Sequence, residues 1–206
     1  MPHHELFWNR NCEKELKRQR FVRGEPRDVF LIVCEGEKTE PNYFRSFPAT
    51  NTQVEVIGAG ATPERVVEEA IKYKRSGQKY RKFDQVWCVF DKDSNPPQNF
   101  NAALELAKRN GVNIAYSNEA FELWFVLHYD FLDTGISRYQ YIDILKDKLG
   151  GYQKNDPKIY EKLLERQQAA IKNASNLLAR YNPLNPCRDN PSTTVHKLVL
   201  ELKRFS

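Results

Sequence analysis

Glu35-Gly36-Glu37-Lys38-Thr39-Glu40 places three carboxylates within six residues, and Asp91-Lys92-Asp93 adds two more further along the chain. Each cluster follows an apolar run, Val29-Phe30-Leu31-Ile32-Val33-Cys34 in the first case and Val86-Trp87-Cys88-Val89-Phe90 in the second. Such runs read as buried strands of a parallel sheet. Acidic residues at the exits of two such strands meet in the crevice outside the carboxyl ends, where α/β folds place their sites. Carboxylates gathered there repel one another unless a cation lies among them. Their hard oxygen ligands suit Mg²⁺ or Mn²⁺, ions that polarise phosphoryl oxygens and activate water.

Glu35 follows its strand directly, and Gly36 permits the tight turn after it. Thr39 is a plausible N-cap for the next helix, which puts Glu40 in the first turn, pointing back to the same space. Asp91 and Asp93 are two apart, so in extended backbone they project the same way, with Lys92 opposite. Glu122 is hemmed by Phe121, Leu123, Trp124 and Phe125. A lone buried carboxylate is costly, so it either pairs with a base or binds metal. The plainer alternatives are solvated turn carboxylates for Glu35, Asp91 and Asp93, and complements to helix dipoles for Glu40 and Glu119. Gly36-Glu37-Lys38-Thr39 echoes the end of a phosphate loop but fails the pattern. A glutamate separates glycine from lysine, and the preceding glycine arc is missing.

The elements that must position these groups follow from the pattern around them. Strands are expected at 29–34, 53–57, 85–90 and 112–116. Helices lie between them: one carrying Tyr43, Phe44 and Phe47, one entered at Thr62-Pro63, and one opened by Pro96-Pro97 and stopped near Gly111. Four alternations argue for a parallel sheet covered on both faces. Beyond residue 117 no strand is expected. Apolar residues 119–128 form a helix, Ser137 and Gln140 make a capping box for a helix running to about Leu149, and Asp156-Pro157 opens a long helix through Leu178. Asn182-Pro183-Leu184-Asn185-Pro186 breaks that helix, and Val195, Leu198, Val199 and Leu202 stripe a last one. The division is thus a basic arm with a short helix near 11–20 (1–27), an α/β core (28–130) and a helical part packed on the core (131–206).

With 206 residues, 29% charged and 40% hydrophobic, the chain suits a soluble globular body. No apolar run is long enough for a bilayer and no signal-peptide pattern opens the chain, so no membrane is expected and the cytoplasm is the default location. Cys12, Cys34, Cys88 and Cys187 form no CxxC pair, which argues against zinc and disulfides. Cys34 and Cys88 read as reduced apolar filler. A net charge of +5 favours polyanions weakly. Its distribution is more telling: Lys72, Lys74, Arg75, Lys79, Arg81 and Lys82 crowd one acid-free stretch, and Arg10, Lys14, Lys17, Arg18, Arg20 and Arg23 mark the arm. Beside an acidic metal site, Lys74, Arg75, Lys79, Arg81 and Lys82, with Lys38, are candidate nucleic-acid contacts; alone, such a run is a solvated helix face. His128 and His196 read as packed histidines, and Trp124, Phe125 and Tyr129 as core. Asn190-Pro191-Ser192-Thr193 reads as an N-cap, with Thr193 a possible phosphate contact.

Four stretches resemble the Toprim domain and, within it, the RloB-like proteins of prokaryotic defence loci. They are Ile32-Val33-Cys34-Glu35-Gly36-Glu37-Lys38-Thr39-Glu40-Pro41-Asn42-Tyr43-Phe44, Val89-Phe90-Asp91-Lys92-Asp93, Asn118-Glu119-Ala120-Phe121-Glu122-Leu123-Trp124, and Asn190-Pro191-Ser192-Thr193-Thr194-Val195-His196. The resemblance implies a Rossmann-like parallel sheet with metal at its carboxyl edge, and Glu35 as metal ligand or general acid/base. Against the EGxTE form of the OLD-type nucleases, Lys38 is one extra residue before Glu40. The resemblance also implies an ATPase subunit (AAA or ABC type) as partner and control by that partner.

The resulting expectation is a Mg²⁺- or Mn²⁺-dependent endonuclease acting on RNA, tRNA included, or on DNA in antiphage defence. Two ions about 3.5–4 Å apart would suit the chemistry. Glu35, Asp91 and Asp93 would hold the first, and Glu40 with Glu119 or Glu122 the second. Lys197 or Lys38 would stabilise the transition state. A non-catalytic adaptor of an ATPase complex and a nucleotidyl transferase are the alternatives, the latter disfavoured by the short chain. Assembly with further copies of the chain stays open.

Overall fold

The computed structural model describes residues 28–48, 52–80 and 82–204, apart from the side chains of 77–80. The basic arm, its expected helix and Arg81 lie outside the described residues, as does the side chain of Lys79.

Four parallel strands carry the molecule: β1 (Asp28–Cys34), β2 (Thr52–Gly58), β3 (Gln85–Asp91) and β4 (Asn113–Asn118). They lie in the order β2-β1-β3-β4, and a two-residue antiparallel strand, β5 (Ser192–Thr193), closes the β4 edge. Residues Val29 through Cys34 and Val86 through Phe90 are all buried, as unbroken apolar runs require when both faces are covered.

Alternation along the strands feeds two cores. Leu31, Val33, Cys88 and Phe90 face α2 (Pro63–Tyr80) and α3 (Pro97–Arg109), meeting Val66, Val67, Ala70, Phe100 and Ala103. Phe30, Ile32, Cys34, Trp87 and Val89 face the opposite layer. That layer holds α1 (Thr39–Arg45), α4 (Glu122–Val126), α5 (Arg138–Leu149), α6 (Ile159–Leu163), α7 (Gln167–Ala179) and α8 (Val195–Lys203). The C-terminal helices therefore share this face of the sheet and its core with α1 and α4. Cys34 and Cys88 are buried and unpaired, as the sequence predicts.

Four expectations change. A strand does follow residue 117: Thr193 Oγ1 donates to the Tyr116 carbonyl, and Ser117 and Thr193 hydroxyls meet at 3.1 Å, so polar side chains rather than an apolar run secure β5. The helix expected over 119–128 is regular only through Glu122–Val126, with tighter three-residue turns on both sides, such as Leu123 N to Ala120 O and His128 N to Phe125 O. The long helix from 157 is divided by a 3₁₀ turn at Leu164–Arg166, across which Leu163 and Ala170 keep the same buried face. The N-cap of α1 is Lys38, not Thr39. The capping box holds: Gln140 Oε1 accepts from the Ser137 N–H at 2.9 Å, and α5 ends at Gly150 with φ 64°.

Candidate functional site

The carboxyl ends of β1 and β3 are adjacent because the two strands pair in parallel, with Cys34 opposite Val89. The Glu35 N–H donates to the Val89 carbonyl at 2.8 Å, and Glu35 Oε2 accepts the Asp91 N–H at 2.8 Å. Both residues line a cleft of about 450 Å³, together with Glu37, Glu40, Asp93 and Glu122. Only Lys38, Arg138 and Lys154 bring positive charge to that lining.

Three glycines allow the chain to close this tightly. A methyl group on Gly36 would lie 2.2 Å from Glu40 Oε2, so the Glu40 carboxylate rests against the bare backbone of the turn. A methyl group on Gly58 would meet the Glu37 Cα at 2.7 Å and the Gly36 carbonyl at 2.8 Å. The end of β2 therefore braces the turn that carries Glu35. Gly60, with φ +57°, packs against Glu37.

Burial and mutual repulsion leave these acids reluctant to ionise. Burial pushes Glu35 up to about 7, with Glu40 and Asp93 adding repulsion against its hydrogen bond from Asp91. Asp91 is raised well above its ordinary value by burial, then by Glu40, Glu35 and Glu122. Glu40 is raised by burial and by Glu122. Asp91 retains some accessible surface, but its Oδ1 has none and no hydrogen-bond partner, and Glu122 Oε1 has none either. Lys154 Nζ stands 3.7 Å from that Glu122 oxygen, a loose ion pair.

Buried carboxylate oxygens without a hydrogen-bond donor, among crowded acids, have the chemistry that a hard divalent cation takes as ligands, and its charge would hold them ionised. Glu35, Glu40, Asp91 and Glu122 are the residues that would hold it. Their side chains do not yet converge: among the described residues no group of three or more His, Cys, Asp or Glu is disposed to bind a metal.

Asp93 departs from the expected role. Extended backbone ends at Asp91, and Asp93 has φ +39°, so the two aspartates do not project side by side. Asp93 forms an ion pair with Arg138 instead. Partial burial raises its pKa, but the Arg138 hydrogen bond and charge outweigh that and hold it below the usual range. Glu119 also meets Arg138, at 3.5 Å, and is not part of the cleft lining. Lys92 turns away, donating to the Asp93 and Asn95 carbonyls.

The candidate lysines and arginines divide. Lys38 lines the cleft. Lys197 is exposed on α8, away from the cleft lining. Lys74 Nζ donates to the Asn110 and Gly111 carbonyls at 2.9 and 2.7 Å, and Arg75 reaches Asn110 Oδ1 at 3.3 Å. These two close the C-terminal end of α3. The helix α2 starts just after the carboxyl end of β2 and returns to the amino edge, where β3 begins. Lys74 and Arg75 on α2, and Lys82 just before β3, thus lie at the end of the sheet opposite the acidic cleft.

His128 is a packed histidine, its Nδ1 2.8 Å from the Trp124 carbonyl and its pKa lowered to about 4 by burial. His196, buried and also lowered to about 4, lies outside the cleft lining. Trp124 and Phe125 are fully buried core.

Sequence reasoning misses Arg138, Lys154 and Asn155. Asn155, with φ +73°, accepts from Thr39 Oγ1 through its Oδ1 and from Asn42 Nδ2 through its carbonyl, both at 2.9 Å. It pins the 150–158 loop to the start of α1 beside the acids. An asparagine tolerant of the left-handed region, immediately before Asp156-Pro157, is the one local signal.

Among described residues no helix is long and apolar enough to cross a membrane. A search of curated proteins finds no match. The family model for RloB-like proteins matches residues 30–202, nearly the whole described span. The strand-end acids, the Glu122 segment and β5 all fall inside that match, and the chain belongs to the RloB-like family.

Proposed function

We propose that this chain is a Mg²⁺- or Mn²⁺-dependent endonuclease that hydrolyses phosphodiester bonds in RNA, tRNA included, or in DNA. The observation that carries the reading is the joined exit of β1 and β3, where Glu35 and Asp91 share a hydrogen bond inside a cleft that also holds Glu40 and Glu122. A bound divalent ion would supply Lewis-acid activation of the phosphate and a nucleophilic water. The chain's own groups do the rest. Glu35, fixed at 2.8 Å by the Asp91 N–H, is placed to hold that ion or to take or return a proton. Lys38 and Arg138 present charge to a phosphate entering the cleft. Phe121 gives one apolar wall that limits water.

The resemblance to proteins of defence loci supports a role as an antiphage effector controlled by an ATPase subunit. A second reading, a non-catalytic adaptor within such a complex, is favoured by one observation: Asp93 is committed to Arg138.

Incubating the purified chain with tRNA, messenger RNA and plasmid in Mg²⁺ or Mn²⁺, with and without its ATPase neighbour, separates the two. Cleavage that disappears in Glu35→Ala and Asp91→Ala supports the nuclease. Cleavage surviving in both variants rejects the assigned site, and no cleavage in any condition leaves the adaptor.

A further inference from the structure

Behind the acidic cleft lies a second cavity, of about 520 Å³, lined by Lys146, Lys154, Lys162, Tyr152, Asn155 and Asp156 among others. Lys154 and Asn155 line both spaces. Three lysines line this cavity against the single carboxylate of Asp156, whereas the first cleft is lined by six carboxylates against three cations. Charge therefore changes sign across the 150–158 loop.

The loop's geometry makes this arrangement specific. Gly150 and Gly151 turn the chain out of α5 with positive φ, and Asn155 ties the far side to Thr39 and Asn42. Lys146 comes from the last turn of α5 and Lys162 from α6, so two helices and the loop build one basic wall. All three lysines have partners: Asp143 at 3.1 Å for Lys146, Glu122 at 3.7 Å for Lys154 and Asp156 at 2.7 Å for Lys162. The Lys146–Asp143 pair is solvent-screened and the Lys154–Glu122 contact is loose, while Asp156 is mostly covered beside Lys162; an ammonium has three donors, more than one acceptor takes up.

We propose that this cavity is the subsite for a phosphate of the nucleic-acid strand next to the one being cut, held by Lys146, Lys154 and Lys162. The proposal rests on the nuclease reading of the acidic cleft. Acids that hold a cation leave nothing to hold the flanking backbone, and a strand of repeating negative charge needs a cationic surface continuous with the reacting phosphate. Lys74, Arg75 and Lys82 cannot serve as that continuous surface, because α2 leads them to the other end of the sheet.

The test is equilibrium binding of fluorescent single-stranded RNA and DNA of one sequence over a range of salt. All proteins carry Glu35→Gln in the full chain, so that the strand stays intact. Lys146→Ala with Lys162→Ala weakens binding about tenfold and lowers the salt slope by about 0.7 for each lysine. Lys146→Arg with Lys162→Arg restores both. The control Lys108→Ala with Arg109→Ala removes the same charge from the end of α3 and changes neither. Equal loss in the control, or an unchanged slope in the alanine pair with thermal melting intact, overturns the subsite. So does a complete lack of binding by every protein. The nuclease reading is judged apart from this, by cleavage in the unsubstituted chain.

Discussion

Glu35 Oε2 accepts the backbone N–H of Asp91 at 2.8 Å, so one carboxylate is fixed by the strand that presents the other. This bond spans the β1–β3 junction and holds Glu35 beside Asp91, whose Oδ1 is buried and without a hydrogen-bond partner. Glu35→Gln keeps the shape and much of the hydrogen bond but removes the charge. Its cleavage rate is expected to fall by at least about a hundredfold, the span of a lost acid–base group or more. Calorimetric Mg²⁺ binding should weaken in the same variant and in Asp91→Asn. Full cleavage by Glu35→Gln would remove that residue from the chemistry.

The same crowding predicts an inverted pH response. Glu35 titrates at about 7 in the fold against 4.5 when free, so between those values the folded state binds more protons and stability falls as pH rises. For a shift of this size the loss is on the order of 3 kcal/mol. Asp91 and Glu40 act in the same direction. His128 and His196, lowered to about 4 from 6.5, oppose it: there the unfolded chain binds the extra protons, and stability rises from pH 4 to 6.5. The carboxylates therefore dominate from pH 6.5 to 8. In EDTA the melting temperature should decline over that window, and in Glu35→Gln it should decline less. Millimolar Mg²⁺ should lift it most at pH 8. A melting temperature that climbs from pH 6.5 to 8 in EDTA would contradict the assignment.

Why strands β1 to β4 could be read from the sequence, and other features could not, has physical causes. Val29 to Cys34 and Val86 to Phe90 are apolar throughout because both sheet faces are covered, and that leaves an unmistakable run. Ser192-Thr193 leaves none, since hydroxyl bonds to β4 hold it. The break at Leu164–Arg166 is invisible because the buried positions on either side keep helical spacing. Glu35, Glu40, Asp91 and Glu122 are legible as strand-end or hemmed acids, whereas Arg138 and Lys154 reach them only through tertiary packing of segments distant in the chain. The basic run at 72–82 is plain in composition, but charge alone does not say at which sheet edge a helix ends.

Gly36 and Gly58 should separate function from stability. In Gly36→Ala the new methyl meets the flexible end of Glu40, which can swing aside. Cleavage and Mg²⁺ binding are expected to drop about tenfold or more, with the melting temperature little changed, because a displaced ligand loses catalytic geometry before it loses packing. In Gly58→Ala the methyl meets backbone of Gly36 and Glu37, which cannot swing. That variant should lose about 1–3 kcal/mol in denaturant unfolding, the cost of overpacking. Equal stability losses in the two would show that the Glu40 carboxylate is itself rigidly held.

Arg138 offers a test of what the cleft recognises. It is the first residue of α5, and its guanidinium joins Asp93 at the exit of β3 to Glu119 beyond β4. Hydrogen bonding to Asp93, then the charges of both acids, hold it firmly protonated. If it also receives phosphate, its removal weakens ground state and transition state alike. Arg138→Ala should then raise KM for nucleic acid about tenfold while kcat stays within about threefold. Arg138→Lys should recover little, because a single ammonium cannot span two acids and still face a phosphate. Mg²⁺ affinity should stay unchanged in both, since Asp93 is not among the residues that would hold the ion. Tighter Mg²⁺ binding in Arg138→Ala would mean instead that Asp93 is a ligand held in reserve by the arginine, and the roles of the two residues would have to be exchanged.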